Sequence, residues 1–88
     1  MKATILITGY QIRAARAALR WSMEQLAKEA DVGIQTIVRY ESATGVPAGR
    51  SQGLKSVQNA LESAGIEFIG TPEDGPGIRY RSKGGVSQ

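Results

Sequence analysis

The segment between Ser22 and Glu41 constrains this chain more than any other. Ser22-Met23-Glu24-Gln25 has the spacing of a capping box, in which a hydroxyl at the helix start and an amide three residues later satisfy each other's backbone donors. Behind it, Leu26, Ala27 and Ala30 recur at helical intervals. Asp31-Val32-Gly33 breaks that pattern, and a second helix over 34–41 follows at once, turning Ile37 and Tyr40 inward. Two short helices joined by so tight a turn cross steeply, so a small side chain is needed where they approach. Ala27 supplies it.

Neither helix can bury its apolar stripe alone, and the flanking sequence provides the cover. Thr8-Gly9-Tyr10-Gln11 is a further capping box, opening a helix through Leu19 with Ile12, Ala15 and Leu19 on one side. Residues 42–49 read as a loop by composition. A helix over about 51–64 then carries Leu54, Val57, Leu61 and Ala64 on one face and stops at Gly65, a natural C′ residue. Beyond it the period changes. Ile66-Glu67-Phe68-Ile69 reads as a strand, 70–77 with Pro72 and Pro76 must turn, and Ile78-Arg79-Tyr80-Arg81 returns as a second strand. A lone hairpin is marginal, so it is expected to dock on the helices or to pair with the β-branched stretch 4–8.

At 88 residues there is room for one domain with a modest core. We divide it into a helical part at 8–65, a hairpin extension at 66–82 and a flexible tail at 83–88. The chain has neither cysteine nor histidine, which removes thiol chemistry, zinc–thiolate sites and every imidazole-based triad. Eight scattered carboxylates are a poor basis for catalysis or metal binding, so no enzyme activity, cofactor or metal is expected. The charge is unevenly placed. Residues 1–55 carry eight bases against four acids, while 56–78 carry four acids and no base. A basic first half suits a polyanionic partner. The apolar run at 3–7 is far too short to span a membrane or serve as a signal-peptide core, and a cytoplasmic address is expected.

The stretch Ile12-Arg13-Ala14-Ala15-Arg16, Leu19-Arg20-Trp21-Ser22, Gln25-Leu26-Ala27, Ala30-Asp31-Val32, Thr36-Ile37 and Tyr40-Glu41 closely resembles the Cro/repressor-type (XRE-like) helix-turn-helix family. The resemblance covers about 12–61 and implies a mainly α fold: a four-to-five-helix repressor-type helix-turn-helix domain with a short C-terminal β-hairpin, joined or not by an N-terminal strand. It also implies a sequence-specific regulator of transcription, expected to be a repressor, that binds double-stranded operator DNA through the helix at 34–41. The family positions facing the major groove are Ile34, Gln35 and Arg39 here, with Thr36 alongside. Gln suits adenine N6/N7, Arg suits guanine O6/N7, and Ile34 suits a thymine methyl.

Phosphate contacts implied by the resemblance fall at Ser42, Thr44, Arg50 and Ser51, with Arg20 and Lys28 as outlying candidates. Met23 stands where the family commonly has a polar residue, so only the backbone of that helix start is expected to grip phosphate. Asp31 and Arg20 replace two glycines usual in the family. Arg16 and Glu41 occupy the positions of a structural ion pair clamping the first helix to the recognition helix. Trp21 reads as a staple or core residue.

One recognition helix touches too few base pairs to find one site in a genome, so a homodimer is expected. The apolar surplus assigned to its interface is Ile5-Leu6-Ile7, the fourth helix and Phe68-Ile69, acting through the hairpin, the N-terminal strand or both. The alternative reading is an antitoxin or anti-activator that uses the same fold chiefly to hold a protein partner.

Overall fold

The computed structural model describes residues 7–47 and 52–81. They form α1 (Gly9–Leu19), α2 (Met23–Ala30), α3 (Ile34–Ser42), α4 (Gln52–Ser63), β1 (Ile66–Thr71) and β2 (Asp74–Tyr80). The fold is mainly helical, with four helices and an antiparallel two-stranded hairpin among the described residues. The strand expected at 4–8 falls mostly outside them. Its last residue, Thr8, is the N-cap of α1, and Ile7 is buried in the core. The expected tail at 83–88 also lies outside the described residues.

At α1 the capping box is complete: Gln11 N–H donates to Thr8 Oγ1 at 3.1 Å, and Thr8 N–H donates to Gln11 Oε1 at 2.8 Å. At α2 only half of it forms. Ser22 Oγ accepts from Gln25 N–H at 3.0 Å, but the Gln25 side chain turns along the helix and donates to Glu29 Oε2 at 2.7 Å. Drawn toward the Glu29 carboxylate by its Nε2, the Gln25 side chain does not bring its carbonyl oxygen to the Ser22 N–H, so the reciprocal bond is lost.

Both α1 and α2 end in the same way. Trp21 N–H reaches Arg16 O at 3.0 Å and Arg20 N–H reaches Ala17 O at 3.1 Å; Val32 N–H reaches Ala27 O at 3.0 Å and Asp31 N–H reaches Lys28 O at 3.2 Å. These paired bonds satisfy the last carbonyls and place Arg20 and Asp31 in the left-handed region, at φ 60° and 58°. The residue after each, Trp21 or Val32, packs on the core. The turn between α2 and α3 is therefore made by the ending of α2 itself.

One core cluster joins all the elements, with Ile12, Leu26, Ile37, Val57, Leu61 and Ile66 among its members. Ile7, Phe68 and the α4 residues Leu54, Val57 and Leu61 are consumed in it, so most of the apolar surplus assigned to a dimer interface is buried within one chain. Leu19 and Ala64 are only half-buried, and Ala64 lies just past α4.

The hairpin is longer than its sequence suggests. β1 continues to Thr71 and β2 begins at Asp74, with Thr71 facing Asp74, so the turn is confined to Pro72 and Glu73. Gly70 makes this possible: at φ 77° it absorbs a bulge, and a Cβ there would meet Gly75 O at 2.1 Å. Gln11 then ties the hairpin to α1, its Nε2 donating to Gly77 O at 2.9 Å and Ile69 O at 3.2 Å.

The orientation of α3 is set from α1. Arg16 grips the Glu41 carboxylate with two parallel bonds, Nε to Oε2 at 2.8 Å and NH2 to Oε1 at 3.0 Å, while NH1 donates to Trp21 O at 3.0 Å. The Glu41 side chain is only 2% exposed, against 22% for Arg16. The bond to Glu41 raises the Arg16 pKa above its ordinary value against the opposing cost of burial. Arg13 adds a second hold, its NH1 donating to the Glu41 carbonyl at the end of α3. Gly9 packs directly below, where a Cβ would sit 2.4 Å from Ala43 O, and its N–H donates to Gly45 O at 3.0 Å.

Three outcomes follow for stability. Replacing Arg20 with Gly relieves a left-handed non-glycine residue and is expected to stabilise the protein by about 1 kcal/mol in urea denaturation. Asp31→Gly should gain less, since Asp tolerates that conformation better. Arg16→Ala strands a buried carboxylate and should cost about 3 kcal/mol or more by the same measurement. A loss under 1 kcal/mol would show that water can solvate Glu41 in place of Arg16.

Candidate nucleic-acid interface

Nine residues make up α3, and all but Thr36 fall to one side or the other. Ile37, Tyr40 and Glu41 are buried against α1 and α2, whereas Ile34, Gln35, Val38, Arg39 and Ser42 are exposed. The exposed set falls into two parallel rows with four-residue spacing: Ile34, Val38 and Ser42 in one, Gln35 and Arg39 in the other. No acid lies on this face, because Glu41 is turned inward and paired. Its single charge is Arg39, whose guanidinium carbon lies 5.5 Å from the centre of the Tyr40 ring. At that distance the cation–π attraction is weak at an exposed site, enough to bias the side chain without committing it.

The structure therefore brings Ile34, Gln35 and Arg39 together on one open surface. Thr36 differs: it is half-buried and sits at the margin. Among the residues expected at phosphates, Arg20, Lys28 and Thr44 are exposed. Ser42 is exposed too, but it belongs to the last turn of α3 rather than to a loop, and its hydroxyl donates to Val38 O at 2.8 Å. Its only proton is thus committed inside the helix. Met23 is half-buried and packs on the core, and Glu24 places a carboxylate in the same first turn, which disfavours a nearby phosphate. Arg50 and Ser51 lie outside the described residues.

Sequence reasoning missed two residues of consequence. Val38 is 43% exposed, next to Ile34 at 37%, in the middle of the outward face. Its position four residues after Ile34 was the available signal, masked by its apolar character. Arg13 was missed as a partner of α3, although its spacing of three from Arg16 places both on the side of α1 that meets the α3 terminus. Arg13 also lies over the Tyr10 ring, at 4.9 Å from its centre.

Among the described residues, no helix is long and apolar enough to cross a membrane, and no group of three His, Cys, Asp or Glu residues is placed to hold a metal ion. No curated protein matches the chain. A helix-turn-helix family model matches residues 12–50, which runs from the buried Ile12 of α1 through α2, the turn and α3. The match and the geometry agree on the same unit. The matched stretch carries a helix-turn-helix of the Cro/repressor (XRE) type, which supports a DNA-binding regulator of that type.

Proposed function

We propose that this protein is a sequence-specific repressor that binds operator DNA as a homodimer, with α3 in the major groove. The observation that carries this reading is the outward face of α3. Gln35 and Arg39 stand side by side there, free of acidic neighbours, on a helix whose far side is pinned by Arg16 and Arg13. Amide and guanidinium groups at adjacent turns suit bidentate bonds to adenine and guanine edges. Arg20, Lys28, Thr44 and, from the sequence, Arg50 and Ser51 would hold phosphates, fixing the register without reading it. Occupying a promoter is enough to block transcription sterically, whereas activation needs a further surface for the polymerase.

For the dimer, burial narrows the choice of surface. With Ile7, Phe68 and the α4 stripe buried in the core, the hairpin contributes Tyr80 and the half-buried Ile69 as its remaining apolar side chains. A two-fold arrangement through the hairpin would present two copies of α3 about 34–36 Å apart, one turn of DNA.

Selection from a random DNA pool tests the class: one enriched palindrome supports the proposal, and no enrichment supports a protein-partner role instead. On the selected duplex, Arg39→Ala is expected to weaken binding about tenfold to a hundredfold and to flatten preference at one base pair per half-site. Arg50→Ala should weaken cognate and scrambled duplexes alike and make the salt dependence shallower by about one unit per contact. Equal losses on both duplexes for Arg39→Ala would reassign it to a phosphate. Light scattering of the protein, with and without the duplex, should report a dimer on DNA; a monomer in both states would remove the two-fold arrangement.

A further inference from the structure

We infer that Val38 is a base-reading residue, acting with Ile34 as an aliphatic row that recognises the 5-methyl groups of thymines in each half-site. The inference rests on the DNA reading above and extends it to a residue and a chemical group. Single exposed aliphatic residues are ordinary on protein surfaces. Here two of them lie on successive turns of one short helix, 37% and 43% exposed, directly beside the Gln35 and Arg39 row. The outward face of α3 is thus half hydrogen-bonding and half apolar.

The major groove offers one apolar group to such a row. Guanine, adenine and cytosine edges carry only donors and acceptors, while thymine adds a methyl group. Side chains four apart on a helix lie about 6 Å from each other, close to two base-pair steps of about 3.4 Å. Two thymine methyls within about two or three base pairs would therefore meet Ile34 and Val38 together. The charge of the face supports DNA as the occupant: it has one cation, no anion, and no buried counter-charge left open to it.

The division of labour has a chemical consequence. Gln35 and Arg39 sense hydrogen-bonding edges, whereas the aliphatic row senses a group that deoxyuridine lacks and that is otherwise identical in base pairing. Replacing thymine by deoxyuridine removes the methyl and nothing else.

The experiment takes the selected duplex and substitutes each thymine in turn by deoxyuridine. Two positions per half-site should each lose about threefold to fivefold in affinity, the worth of one buried methyl group. Val38→Ala and the shape-preserving Val38→Thr should both bind the thymine duplex less well and lose the deoxyuridine effect at one of those positions. Circular dichroism and thermal melting should show both variants folded, since Val38 is outside the core. Full guanine preference should persist in them, because Arg39 is untouched. Deoxyuridine duplexes that bind as tightly as thymine ones would overturn the inference while leaving the DNA reading intact. A methyl effect that survives both Val38 variants would overturn the assignment of Val38. Failure to select any motif would remove the DNA reading, and this inference with it.

Discussion

Everything outward in this protein depends on how the C-terminal end of α3 is held. A nine-residue helix is too short to persist in water on its own, so its direction must come from tertiary contacts. Arg16 provides the main one. Its guanidinium spans both Glu41 oxygens and also satisfies the Trp21 carbonyl where α1 gives way to α2, so one side chain ties three helices at a single point. A lysine could not do this, having one point charge and no planar fork. Arg13 on the Glu41 carbonyl adds positive charge at the negative end of the helix dipole. The pair is a device of orientation more than of net stability, because desolvating a carboxylate offsets much of what the ion pair returns.

The N-terminus of α1 and the hairpin form the second support. Gln11 is buried, and its side chain makes three hydrogen bonds: the carbonyl accepts from Thr8 N–H, and the amide donates to two carbonyls of the hairpin. Gly9 beside it lets the chain pass against the backbone at the end of α3. The hairpin thus acts on α3 at a distance, by fixing the start of the helix that holds it. Its own outer face is covered by charge, with Arg79 at 3.1 Å and Arg81 at 3.6 Å from Glu67, exposed pairs that discourage strand addition more than they stabilise the fold.

Local signals were legible in the sequence, and signals that need a third dimension were not. Caps, apolar periodicity and the small residue at Ala27 are one-dimensional, and α1 to α4 follow them within a residue or two. Gln11 shows where that stops: its spacing from Thr8 announces the cap, but nothing nearby announces two hairpin carbonyls more than fifty residues away. The hairpin turn is tighter than the glycines and prolines of 70–77 suggest. Gly70 and Gly75 instead take up a bulge in left-handed conformations and let the ladder continue. Gln25 failed its capping role through a competitor, Glu29, four residues along the same face. For the site, Gln35 and Arg39 were readable as polar residues on a helical face. Val38 was not, because an aliphatic residue in a short amphipathic helix is assigned to the core unless its angle about the axis is traced.

The same division explains how such a small unit can separate folding from reading. The inward residues of α3 are fixed by packing and by the Arg16 grip, and changing them changes the angle of the helix. Ile34, Gln35, Val38 and Arg39 face away from all of this, so substitutions there fall in the class that alters stability little. On the proposed DNA reading, specificity can therefore shift without disturbing the scaffold. The point where the two halves touch is Arg39 over the Tyr40 ring. Tyr40 is buried, so its ring offers Arg39 a weak resting place, which on the proposed DNA reading would lower the entropy lost in fixing the guanidinium on a base. A lysine at position 39 would keep the charge but lose the planar guanidinium and its paired donors. The scaffold thus touches the outward face of α3 through the Tyr40 ring, at its one charged side chain.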